Sequence, residues 1–198
     1  LNMELPNLKI VVKKNFPIQG GLGSASSNAA TVIKILENLE LIKRVDKYSY
    51  ASLGSDIPFF LNEHDCLVRG KGDLISNIIF PKYYFLIVKP NFNCSTIKMY
   101  QNINLNDLEY TEEMDLHEIN DRDAGNDFEN VLMKLEPKFI DLFNFMQELD
   151  DSIFTRLSGS GSCIYSAFEN IYQCEKANEN LKIKFPNLWS ACAQNNNI

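Results

Sequence analysis

Apolar positions along the chain fall into short runs separated by glycine- and asparagine-rich breaks, and their spacing predicts the elements. Leu8 to Lys13 reads as a strand and Pro17 to Gly23 as a turn-rich loop. Directly after the loop, Ala25, Ala29, Val32, Ile33, Leu36 and Leu39 share one stripe at helical spacing. This opening unit is strand, glycine loop, helix. Pro58 to Leu61 and Cys66 to Val68 read as short strands, the second running into a glycine turn at Gly70 and Gly72. Tyr83 to Val88 is a continuous apolar run ending at Lys89-Pro90, the pattern of a buried strand entering a loop. Asn102 to Asn126 is rich in Asn, Asp and Glu with little periodicity, and is expected to be a long, mobile acidic connection with one helical turn. Asn126 with Glu129 three residues on has the form of a helix N-cap pair, and Phe128, Val131, Leu132 and Leu135 then supply a buried face. Pro137 opens a second helix. A Ser/Gly loop within Arg156 to Phe168, a strand from Cys163 to Phe168, and a last helix over Tyr172 to Lys182 complete the chain.

Composition narrows what such a chain can do. With 198 residues, 45% of them hydrophobic, it can build a proper core. The net charge of -7 argues against a nucleic-acid backbone or an anionic membrane as partner, so any bound phosphate must be held locally. The five cysteines are odd in number and contain no Cys-x-x-Cys pair, which speaks against a disulfide framework or zinc site and for a reducing cytoplasm. His64 and His117 are isolated, with no metal-ligand spacing, and are read as surface residues. No apolar run is long enough to span a bilayer, and the start LNMELPNLKI is not a targeting signal.

The segment PIQGGLGSASSNAA, Pro17 to Ala30, carries the most chemistry. Gly20, Gly21 and Gly23 let backbone pass close to a ligand, and the helix that follows presents free N–H groups and the positive end of its dipole to an anion. Ser24, Ser26 and Ser27 add hydroxyls at the same place. A tight turn with serine helix caps is the alternative reading of these residues. The loop is not a Walker loop, lacking Gly-Lys-Ser/Thr, and it is a poor dinucleotide fingerprint because Ser26 replaces the third glycine.

Pro17, Gly21, Leu22, Gly23 and Ser24 match the pattern Pro-x-x-x-Gly-Leu-Gly-Ser-Ser, and the segment thereby resembles the second motif of the GHMP kinases. RLSGSGSCIYSAF, with Gly159, Ser160 and Gly161, is similar to that family's third motif. LGSDIPFF at Leu53 to Phe60 resembles the subfamily of 4-diphosphocytidyl-2-C-methyl-D-erythritol kinases more than the homoserine or mevalonate kinases. RGKGD at Arg69 to Asp73, NDFE at Asn126 to Glu129, and Pro90 with Thr96 and Tyr100 also resemble that subfamily.

The resemblance implies an α+β fold in two domains. A ribosomal-protein-like nucleotide domain would occupy residues 1–79, incomplete at its start, and a ferredoxin-like substrate domain residues 80–198. It implies transfer of the γ-phosphoryl of ATP, with Mg2+, to the 2-hydroxyl of a small-molecule substrate, a cytidine diphosphate-linked methylerythritol, in isoprenoid precursor synthesis. Pro17, Gly20, Gly21, Leu22, Gly23, Ser24, Ala25, Ser26 and Ser27 would then hold the nucleotide. Asp56 would serve as the catalytic base, with capping of a turn before Pro58 as its plainer reading. Thr96, Tyr100, Gly159, Ser160 and Gly161 would line the substrate site, Tyr100 stacking on cytosine or simply lying at a domain edge. No residue is assigned to a metal.

The family's catalytic lysine lies on a strand that would precede Leu1, so the chain is expected to lack its N-terminal segment and to be inactive without it. Lys13 and Lys14 match a different family position. Gln19 stands where small residues are usual, and Ser24-Ala25 replaces a common Gly-Gly. Another GHMP acceptor, or a non-catalytic binding module, are the alternatives. A monomer or weak homodimer is expected.

Overall fold

The structure is a computed structural model that describes residues 6–108 and 125–195. The described chain divides into two compact units, one containing residues 6–16 and 23–80, the other residues 17–22 and 81–195.

In the first unit, α1 (Ser24–Asn38) packs on α2 (Ile57–Leu61), with a short 3-10 helix over Lys47–Ser52 between them in sequence. Ala30, Ile33 and Ile57 form the buried centre, with Ala29, Ile42, Tyr50, Phe60 and Leu61 against it. The predicted apolar stripe is real only in its middle. Ala25 is exposed, and Leu39 lies past the helix end as its cap, 61% exposed. An antiparallel hairpin of β1 (Cys66–Arg69) and β2 (Leu74–Asn77) turns at Gly70 and Gly72, both with positive φ (65° and 93°), as turn glycines require.

Two expected strands are not strands. Leu8 to Lys13 has no ladder partner among the described residues, and Leu8, Ile10, Val11 and Val12 are exposed; β-prone side chains make a strand only when another strand completes the hydrogen bonds. Pro58 to Leu61 is helical because Pro58 sits at the start of α2, where its fixed φ suits a helix and its missing N–H leaves no bond unmade.

The second unit runs β3 (Tyr84–Lys89), α3 (Thr96–Gln101), α4 (Phe128–Leu135), α5 (Lys138–Gln147), β4 (Phe154–Leu157), β5 (Ile164–Phe168), α6 (Ile171–Lys184) and β6 (Trp189–Gln194). Its sheet order is β4-β5-β3-β6 with every neighbouring pair antiparallel. With helices between β3 and β4 and between β5 and β6, this is the split β-α-β-β-α-β arrangement of ferredoxin-like domains. Leu86 and Val88 of β3 and Ile164 and Phe168 of β5 are fully buried, as are Phe139 and Met146 of α5 and Leu181 of α6. The Met146 carbonyl accepts from both Thr155 Oγ1 (3.0 Å) and Ser166 Oγ (3.3 Å), tying the end of α5 to the sheet. Pro137 does open α5. The capping box of Asn170 with Gln173, the short helix α3 and the strand β6 had no reading in the sequence. His117 and the body of the acidic connection lie outside the described residues.

Candidate functional site

The glycine loop is shared between the two units, and each half has its own reason for glycine. In the second unit the loop lies on the third glycine segment. Cys163 N–H donates to the Gly20 carbonyl (3.0 Å), Ser162 N–H to the Gln19 carbonyl (3.4 Å) and Ser158 Oγ to the Gly21 carbonyl (2.9 Å). A methyl group at Gly20 would fall 2.5 Å from Cys163 Sγ, and one at Gly21, where φ is 73°, 2.0 Å from the Ser158 carbonyl oxygen. At these two glycines protein packing by itself leaves no room for a side chain. Gln19 adopts φ 54°, a left-handed conformation unusual outside glycine, with its carbonyl engaged by Ser162.

In the first unit Gly23 caps α1 with φ 62°, and a methyl group there would meet the Phe60 ring at 2.7 Å. The space a side chain would need there is taken by Phe60. The anion-binding potential lies instead in the backbone. No side chain caps α1, and the first N–H groups of its fifteen residues have no intrahelical acceptor. Ser24, Ser26 and Ser27 lie in that first turn and Ser27 N–H bonds back to the Gly23 carbonyl (2.9 Å).

The Leu53 to Pro58 turn sits against the same helix start. A methyl group at Gly54 would touch Ser26 Oγ at 3.9 Å, and a methyl group at Gly72, on the β1–β2 turn, would press on the Ser55 carbonyl oxygen at 3.0 Å. Asp56 occupies the N-cap position of α2 yet makes no cap bond; its carboxylate is exposed and, among the described residues, accepts only from Ser55 Oγ (3.2 Å). A capping aspartate would bond the helix N–H groups, so the turn-capping reading does not describe this side chain.

Of the remaining candidates, Thr96 and Ser160 meet through their hydroxyls (2.8 Å), and Gly159 and Gly161 hold positive φ (51° and 85°) in the same loop. Tyr100 is 63% exposed on α3 and packs edge-on against Phe128 of α4, ring centres 4.9 Å apart. Asn126 and Glu129 do not form the expected reciprocal cap. Asn126 Oδ1 accepts from Phe128 N–H (2.9 Å), but its amide donates to the carbonyls of Leu157 (2.9 Å) and Gly159 (2.8 Å), while Glu129 Oε1 accepts from Leu157 N–H (2.8 Å). Beside them opens a cavity of about 360 Å³ lined by Gly125, Asn126, Asp127, Arg156, Leu157, Gly159 and Tyr165. Burial raises the Glu129 carboxyl above its usual range, opposed by the Leu157 N–H and the Arg156 guanidinium. Lys89 is another residue without a reading in the sequence. It is buried, its ammonium donates to the carbonyls of Pro90 and Phe92 and to Asn93 Oδ1 (3.2 Å), and burial lowers its pKa. A lysine before a proline carries no pattern that would have singled it out.

Residues 1–62 match the family described as GHMP kinases N terminal domain. A solved structure of 4-(cytidine 5'-diphospho)-2C-methyl-D-erythritol kinase superposes with a TM-score of 0.77 at 25% identity, over 93% of this chain and 69% of the other. A homoserine kinase from Cytophaga hutchinsonii, at 18% identity and TM-score 0.66, shares the fold. Fold and sequence together make the chain similar to the GHMP kinases, whose N-terminal domain its residues 1–62 match. Within that class it is similar to the 4-diphosphocytidyl-2-C-methyl-D-erythritol kinases of Blochmanniella pennsylvanica, 33% identical over 81% of this chain and 54% of the relative, and of Haemophilus ducreyi, 31% identical over 96% and 66%. The chain thus spans between about half and two thirds of the length of these relatives.

Proposed function

We propose that the protein transfers the γ-phosphoryl of ATP to the 2-hydroxyl of 4-diphosphocytidyl-2-C-methyl-D-erythritol, a step in isoprenoid precursor synthesis. The observation that carries this reading is local to the first unit: the turn bearing the uncapped, exposed Asp56 packs beside the open first turn of α1. A phosphate held by the α1 N–H groups and the hydroxyls of Ser24, Ser26 and Ser27 would gain from both hydrogen bonds and the helix dipole. Ala25 contributes backbone only. An exposed carboxylate that bonds only Ser55 Oγ among the described residues is available to orient the acceptor hydroxyl and take its proton as the bond to phosphorus forms. In the second unit Pro17 to Leu22, the rest of the nucleotide loop, rests on the segment Ser158 to Cys163, while Thr96, which touches Ser160, and Gly159 to Gly161 would supply the substrate contacts, with Tyr100 offering an exposed ring for cytosine. The two units correspond in this reading to a nucleotide domain and a substrate domain.

Mg2+ in kinases is held largely by the nucleotide's own phosphates with one or two carboxylates. Among the described residues no three metal-ligating side chains come together, and in this reading the ion would arrive with ATP. It would neutralise charge on the transferring phosphoryl. The reading places the protein in the cytoplasm, which its free thiols suit, as a monomer or weak homodimer; among the described residues no helix is long and apolar enough to cross a membrane.

Asp56→Asn tests the assignment. Calorimetric affinity for ATP with Mg2+ should stay within about threefold, while transfer falls by roughly 100-fold or more, the scale of a lost general base. Transfer at the unsubstituted rate would remove Asp56 from the chemistry.

A further inference from the structure

The start of α4 grips the third glycine loop from one side while the nucleotide-loop segment is bonded to its other side. Leu157, the last residue of β4, is held at both backbone groups: its N–H by Glu129 Oε1 and its carbonyl by the Asn126 amide. The second proton of that amide holds the Gly159 carbonyl. One residue further on, Ser158 Oγ reaches the Gly21 carbonyl, and Cys163 N–H reaches that of Gly20. The hairpin is closed by Ser158 N–H to the Cys163 carbonyl (2.8 Å).

Helix α4 needs none of this for its own stability. Val131 and Leu132 already bury its inner face, and a carboxylate at the second helical position stabilises a helix more simply by staying beside its own N-terminal N–H groups. The Glu129 carboxylate and the Asn126 amide nitrogen are instead given to a loop, Asn126 Oδ1 alone staying with the helix at Phe128 N–H, and Glu129 keeps a half-buried carboxylate there against its desolvation cost. We propose that Asn126 and Glu129 are positioning residues, a clasp that fixes the Leu157 to Gly161 loop and, through it, the Gly20–Gly21 segment in the geometry that receives the nucleotide. Its consequence for binding rests on the ATP reading above; the clasp itself does not.

Amide hydrogen exchange on the full chain separates the two. In Glu129→Ala and Asn126→Ala, exchange at Ser162 and Cys163 should accelerate about tenfold or more, the scale of one lost charge-assisted bond, while β3 and β6 amides stay within about twofold. Glu129→Gln, which keeps an acceptor for Leu157 N–H, should restore near-native exchange. ATP affinity should fall in step in the alanine variants, with the loss in KM for ATP exceeding that in kcat. Unchanged exchange at Cys163, or a uniform rise across the whole unit, would overturn the clasp. If exchange responds as stated but the unsubstituted protein does not bind ATP with Mg2+, the clasp stands and the nucleotide reading fails. Should Asn126→Ala not fold, Glu129→Ala leaves the Asn126 contacts in place and gives the same readout.

Discussion

Glu129 is the residue at which local physics is most finely balanced. Burial raises its pKa, and the Leu157 amide and Arg156 charge pull it back. A carboxyl with a raised folded-state pKa favours folding in its protonated form, so its contribution is complete below the unfolded value of about 4.3 and is lost as pH rises through the folded value. Glutamine mimics the protonated form at every pH and keeps the acceptor. The stability of Glu129→Gln relative to the unsubstituted protein should therefore increase from about pH 4 to neutrality, measured by urea denaturation of both proteins across that range. A difference that is flat with pH, or that shrinks, would mean that the carboxylate is not penalised by burial. Asp56 illustrates the opposite case. Its residue type and its place before Pro58 allowed a cap or a base, and the exposed side chain, bonded to Ser55 Oγ and to no helix N–H among the described residues, speaks against the cap.

At the level of elements, the sequence was most legible where pattern and local chemistry agree. β3 begins one residue after the apolar run Tyr83 to Val88 does, α5 follows Pro137, and the Gly70 and Gly72 turn joins β1 to β2. Legibility failed where a decision depends on partners distant in sequence. Leu8 to Lys13 has strand-forming side chains but no ladder among the described residues, β6 is a strand because β3 lies beside it, and the start of α4 looks like a cap until Leu157 and Gly159 are seen to take its hydrogen bonds. The glycines of the loop were recognisable but their reasons were not, since Gly21 answers to Ser158, far along the chain. Gly21→Ala should accordingly destabilise the protein by about 2–5 kcal/mol through a strained φ and a backbone collision. Gly23→Ala meets a side chain instead, so Phe60→Leu should relieve part of its cost. Denaturant melts of the three variants and the Gly23/Phe60 pair check both statements; a Gly21→Ala protein as stable as the parent would show that the loop can shift away from Ser158.

For the whole molecule, the exposed apolar segment from Leu8 to Ile18 matters beyond the site. Ile10, Val11, Val12, Phe16 and Ile18 are each at least half exposed, and residues 8–13 have no strand partner among the described residues. Unpaired backbone carrying apolar side chains is a template for association with another chain. Dynamic light scattering should show concentration-dependent association that Ile10→Lys with Val12→Lys suppresses; a monodisperse parent at high concentration would contradict it.

The identity of the phosphoryl acceptor can be read from a labelled-phosphate assay. The gene product, with whatever residues are encoded upstream of Leu1, is incubated with γ-labelled ATP, Mg2+ and an equimolar mixture of 4-diphosphocytidyl-2-C-methyl-D-erythritol, homoserine and mevalonate, and the products are separated. Label is predicted on the 2-hydroxyl of the cytidyl compound, with less than about a hundredth as much on the other two, since a site that hydrogen-bonds a ligand's polar groups rejects acceptors lacking them strongly. Label on homoserine or mevalonate, or label found only in ATP while the same preparation binds both nucleotide and cytidyl substrate, would contradict it.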